Sequence, residues 1–247
     1  MLFGWDTSLW MFVAGTCAVA GIVRGFTGFG FPLIVVTAAS LVIAPADIVP
    51  IALILDILAG LRLLPHVHAD VDRRGTALLI VAAAPMIPIG AYLLASVDPD
   101  NMRLAIGVMV LLTVIGITRG LALSRPPGSL LLGMTGVVSG FLSGIAGMPG
   151  PPVILLYLSS PLPVATLRAT AVAFFLFTDV IALVAMAYYG LIEADVLWRA
   201  VVLAPLVEIA VFGGRKLYGF AEPSLVKRAA LVLLAILAVS AITKSLL

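Results

Sequence analysis

Arg24, Asp56, Arg168, Asp179 and Glu208 stand inside or beside long apolar runs, where charge is scarce. An ionised side chain in hydrocarbon is costly, so each must meet a partner or a water-filled cavity. Arg24 directly precedes GFTGFGFP at residues 25–32. Its planar fork suits oxyanions, so it can neutralise a bound anion or pair with a membrane acid. Arg168 follows PLP at 161–163 and reads as a side chain reaching back to the interface. Asp56 and Asp179 either pair with these arginines or hold protons. Glu208 is set opposite Pro88 by the matching of APLVEIAVF with APMIPIGAY, which suggests an asymmetric role in release or proton entry. Thr27 and Ser143 offer hydroxyls to an oxyanion, although such groups more often bond their own helix backbone. His66 and His68 lie beside Asp70 and Asp72 with a spacing that could hold metal, in a short loop that reads as a polar turn.

The second unusual chemistry is backbone chemistry. GFTGFGFP recurs as GIAGMPGPP at 144–152, and both sit in otherwise greasy sequence. Glycine relaxes the chain and lets it approach a ligand, while proline opens a helix well at its first position. Pro32 and Pro151 therefore open new half-helices. A helix that starts at membrane depth presents unpaired N–H groups and a positive dipole end. Two such ends brought together form an anion site. Close helix packing by small residues is the blander use of the same glycines.

The elements that hold these residues are membrane helices. The chain has 247 residues, 63% hydrophobic and only 11% charged. A soluble fold of that length cannot hide so much apolar surface. Residues 7–23, 25–46, 75–97, 104–118, 126–167 and 229–243 contain no Asp, Glu, Lys or Arg. Spanning helices need about 20 apolar residues, whereas barrel strands would alternate in polarity. The expected fold is an all-α polytopic membrane protein. The start of the chain lacks the basic flank and cleavage site of a removable signal. Cys17, alone of its type, reads as a small packing residue.

Internal repetition orders the helices. Gly25, Gly28, Pro32 and Ser40 fall opposite Gly144, Gly147, Pro151 and Ser159, Asp56 falls opposite Asp179, and Arg103 opposite Lys227. Residues 1–123 form a first repeat, 124–128 a connecting turn and 129–247 a second repeat, each a glycine-broken hairpin followed by three spans. Residues 8–23 and 32–45 are short of a ~30 Å core at about 1.5 Å per residue, so they read as paired half-length helices or short tilted spans. Basic loops favour the cytoplasm. Arg62, Arg73 and Arg74, then Arg119 and Arg125, then Arg215, Lys216, Lys227 and Arg228, mark three such loops. All three lie on one side only if the broken stretch between the second and third loops crosses an even number of times, zero or two. Each half then has an odd number of ordinary crossings, and the two halves are inverted.

GFTGFGFPLIVV and GIAGMPGPPVILL resemble the sulfite exporter TauE/SafE family, which carries a glycine-rich segment followed by proline near the start of each of two repeats. The resemblance covers nearly the whole chain. It implies a secondary transporter exporting sulfite or organosulfonate-type anions across the bacterial inner membrane by alternating access. It also implies that Gly25, Gly28, Gly30, Pro32, Gly144, Gly147, Gly150 and Pro151 form the site backbone. The expected partners are a small inorganic or organosulfur anion and the lipid bilayer, with a homodimer possible. Nothing in the sequence asks for nucleic acid, a metal or a cofactor. An anion channel, or a carrier of another small anion, uses the same features. An intramembrane aspartyl hydrolase using Asp56 and Asp179 is the rival from another class. A serine hydrolase needs a buried Ser–His pair, and both histidines share one loop. An interior-negative membrane already drives an anion outward, by about 2.3 kcal/mol per charge per 100 mV, so proton carriage is optional.

Overall fold

In lipid each backbone amide must find its partner within its own segment, so apolar runs become helices. The computed structural model describes residues 4–119, 123–217, 232, 235–236 and 238–244. Among them every regular element is helical: α1 (Thr7–Thr27), α2 (Phe31–Ala39), α3 (Pro45–Val67), a short 3-10 turn (His68–Asp70), α4 (Arg73–Ala83), α5 (Met86–Ser96), α6 (Pro99–Arg119), α7 (Ser129–Ala146), α8 (Gly150–Ser159), α9 (Val164–Tyr188) and α10 (Ala194–Leu217). Residues 238–244 are helical as well. Six of these helices, α1, α3, α6, α7, α9 and α10, are long and apolar enough to cross a membrane. Helices α4 and α5, bent by 46° from one another, are together long and apolar enough for a seventh. Pro85 lies at the bend, where its missing N–H and ring open the helix.

The broken stretches differ from the expected pairs of half-helices. Helix α1 runs through Arg24 and Gly25 for 21 residues, and α7 runs for 18. Only the second members are short, 9 residues in α2 and 10 in α8. The reason is local. Gly28 and Gly147 take left-handed conformations, with φ of 84° and 65°, and stop the helices there. Gly25 and Gly144 remain helical and serve packing.

That packing exchanges the two halves. Helix α1 lies on α10: a Cβ on Gly25 would stand 2.1 Å from the Val211 carbonyl oxygen, and one on Gly214 would stand 2.1 Å from that of Ile22. Helix α7 lies on α4 and α5 in the same manner. A Cβ on Gly144 would stand 2.1 Å from the Ile87 oxygen, and one on Gly90 would stand 2.5 Å from that of Phe141. These contacts correct the expected register. Val211 answers Ile87 and Gly214 answers Gly90, which slides the match by one helical turn and sets Glu208 opposite Ala84, not Pro88. The seam of small residues fixes the register, because only there can the two backbones touch.

Helices α3 and α9 form the centre and run antiparallel. Gly60, late in α3, meets Leu176 of α9, while the Asp72 amide, beyond the end of α3, donates to the Thr170 hydroxyl, early in α9, at 3.0 Å. The Asp72 carboxylate also takes a bond from the Tyr157 hydroxyl at 2.9 Å and caps α4 through the Gly75 amide at 3.0 Å. One end of the bundle gathers the basic segments. His66 Nε2 lies 3.3 Å from Arg215 Nη1, and the Leu123 amide bonds the Ser159 oxygen at 2.6 Å, beside Tyr157. Lys227 and Arg228 lie outside the described residues. At the other end Arg103 donates to the Ser40 oxygen at 2.5 Å and pairs with Asp100, closing the end of α2. Arg199 stacks there on Trp5 at 4.7 Å.

Gly144→Val should destabilise the protein by about 1–3 kcal/mol or more, because its methyls must enter the α7–α5 seam. Gly15→Ala, whose Cβ meets nothing within 4 Å, should leave stability unchanged or raise it. Thermal unfolding in detergent separates the two, and an equal response in both would refute the seam.

Candidate functional site

The first break determines the site. Helix α1 ends at Gly28, and α2 starts at Gly30, whose φ is 95°, with no side-chain cap and Pro32 in its first turn. Ending α1 inside the bundle leaves its last carbonyls without amide partners. Two arginines meet them. Arg24 Nη1 donates to the Gly28 oxygen at 2.6 Å, and Arg168 Nη2 donates to the Gly25 oxygen at 3.0 Å. A cation is also what the negative end of a helix dipole favours. Arg168 therefore turns inward to the break and lays its stem against Gly28, 2.7 Å from where a Cβ would be. This replaces the expected reach to the interface: the bare carbonyls offer a better partner than solvent does.

Arg24 is fully buried, and its Nη2 lies 3.0 Å from Asp56 Oδ2, with Asp56 only 1% exposed. The contact is an ion pair without aligned hydrogen-bond geometry. The guanidinium also stacks 5.5 Å from the ring centre of Phe175. Asp179, equally buried, interacts directly with Asp56. Asp56 Oδ1 and both Asp179 oxygens receive no hydrogen bond from an N–H or hydroxyl donor. The Arg24 guanidinium thus pairs with Asp56 in a buried group that includes Asp179.

The second break comes to the same place from the other side. Helix α8 opens at Gly150 without a side-chain cap and with Pro151 in its first turn. A Cβ on Gly150 would lie 3.2 Å from Phe175. The Phe175 ring therefore stands between the Arg24 guanidinium and the start of α8. Along α3 the breaks straddle Asp56: Gly147 contacts Val49 and Leu53, while Arg24 reaches Gly60. Irregular backbone at this depth is thus enclosed by protein, as a membrane requires.

Thr27, Glu208 and the two histidines are already engaged elsewhere. The Thr27 hydroxyl is engaged by the Val23 oxygen at 2.8 Å and by the Phe29 amide at 3.1 Å. Glu208 stands apart from the cluster and pairs with Arg62 at 2.8 Å. Ser143 is buried with an unpartnered hydroxyl on α7. His66 and His68 bond the Arg62 and Pro65 oxygens, and among the described residues no group of three ligands could hold a metal. Phe175 escaped the sequence reading. Its one signal is its place a single helical turn before Asp179, which puts both on one face of α9.

Comparison with known proteins agrees with this architecture. The family model described as "Sulfite exporter TauE/SafE" matches residues 13–241. A protein of Cupriavidus necator named "Probable sulfite/organosulfonate exporter TauE" is 28% identical over 212 residues, covering 83% of this chain and 82% of the relative. No solved structure matches the chain.

Arg24→Leu leaves Asp56 buried beside Asp179 without its cation, and should cost about 3–5 kcal/mol. Adding Asp56→Leu should return most of that loss. Thermal unfolding of the single and double variants gives the coupling, and strictly additive losses would refute the pair.

Proposed function

We propose a transport function from one premise: the chain belongs to the sulfite exporter TauE/SafE family. The protein is a secondary transporter that exports sulfite or organosulfonate-type anions across the bacterial inner membrane. The anion binds between the two breaks, held by Arg24 and by the open N-termini of α2 and α8. Gly28, Gly30, Pro32, Gly147, Gly150 and Pro151 shape that backbone, and Gly25 and Gly144 seat its helices.

The observation that supports this reading is that Arg24 holds the Gly28 oxygen at the first break while Phe175, on which it stacks, lies against the uncapped start of α8 at Gly150. Amide N–H groups and a guanidinium are a binding set for a negatively charged solute at depth. The neighbouring carboxyls keep that set electrically balanced while it is empty. The residues involved are sealed: Arg24 is 0% exposed, and Asp56 and Asp179 are each 1% exposed. A site closed on both sides favours a carrier over an open channel.

Alternating access follows from the same geometry. Residues 1–123 and 129–247 act as inverted repeats about an axis between α3 and α9, which are antiparallel equivalents. One break approaches the centre from the basic end and the other from the opposite end, so each guards its own side. The basic end faces the cytoplasm. The membrane potential then favours outward movement of negative charge.

Purified protein in liposomes loaded with sulfite should release it faster under an interior-negative potential. Arg24→Ala should slow release at least tenfold, while Gly15→Ala keeps the wild-type rate. Unchanged release from the Arg24 variant, or none from the wild type, would defeat the assignment.

A further inference from the structure

The cluster at the first break holds two arginines, Arg24 and Arg168, and two buried acids, Asp56 and Asp179. Arg24 is the one cation touching Asp56, and Asp179 faces the same carboxyl. Helix α2 carries no charged residue, and Tyr92 is the one titratable group of α5. Arg103 and Asp100 of α6 pair with each other, and Glu208 of α10 pairs with Arg62. Arg168 is held at the Gly25 oxygen. Among the described residues, Arg24 and Arg168 at this break are thus matched by Asp56 and Asp179, and an entering anion adds negative charge beyond them.

An anion arriving in this sealed space adds a charge that must be compensated, because an uncompensated ion in a low dielectric is strongly disfavoured. The empty acceptor sites are on the acids: Asp56 Oδ1 and both oxygens of Asp179 lack a donor. A proton placed there completes an O–H···O bond between facing carboxyls and removes one negative charge. Resting on the anion-transport reading, we infer that Arg24 exchanges Asp56 for the anion while the Asp56–Asp179 pair gains one proton. The Arg24–Asp56 ion pair breaks, a contact from Arg24 to the anion forms, and water on the loading side supplies the proton. Anion and proton are therefore loaded together and carried together. A doubly charged sulfite moved with one proton still takes one negative charge outward, so the potential continues to favour export.

The test counts protons on the full-length protein purified in detergent. Sulfate and methanesulfonate are the probes, because neither titrates over the range measured. Calorimetric titration in buffers of different ionisation enthalpy should show uptake of about one proton per anion, and affinity should fall about tenfold per pH unit where the pair must be protonated to bind. Asp56→Asn should bind with no pH dependence and no uptake, because Arg24 is already released. Asp179→Asn provides the same measurement if the first variant does not fold. Binding by the wild type with no proton uptake overturns the inference and leaves the transport reading intact. Full uptake persisting in both variants overturns the assignment to these acids. Failure of both probes and of sulfite to bind overturns the inference and the transport reading together.

Discussion

A helix interrupted inside a membrane must have its loose peptide groups met by protein, and in this chain Arg24 meets them. Its guanidinium satisfies the Gly28 oxygen, stands against Asp56 and stacks on Phe175. Without a donor at Gly28 the end of α1 would leave a bare carbonyl in a medium that supplies none. Without Asp56 the guanidinium would be an unpaired buried charge. Arg168 shares the task at Gly25. The break, the arginines and the acid therefore require one another.

The exchange of helices between halves makes this arrangement rigid where it must be and divisible elsewhere. Helix α1 belongs to the first half by sequence but lies on α10, and α7 of the second half lies on α4 and α5. Each seam brings backbone against backbone through small residues, which in lipid is a main source of helix adhesion. The central pair, α3 and α9, is left to carry the acids, and its contacts with both breaks join the two exchanged bundles.

Symmetry frames the site, but chemistry breaks it. Arg24 has Ser143 as its counterpart before the second glycine passage. Both arginines thus gather at the first break, while the second supplies a hydroxyl and an uncapped helix start. Helix α8 also carries Pro151 and Pro152 at its opening, which removes amides that α2 keeps in part. The two arginines therefore both lie at the first break and none at the second.

By itself the sequence determined the solvent, the all-helical class and the two glycine–proline passages where helices stop and restart. Composition alone excludes a water-soluble fold, and glycine followed by proline states where a helix stops and restarts. It also placed Asp56 opposite Asp179, because matched positions in repeats become neighbours at an axis. Tertiary structure alone decided which glycine breaks the helix. Gly25 and Gly28 are chemically identical, and only the backbone of α10 against Gly25 keeps that one helical. It likewise decided the inward turn of Arg168, the pairing of Glu208 with Arg62 and the position of Phe175. Those are contacts between segments far apart in the chain, and periodicity along one helix carries no information about which face of another it will meet.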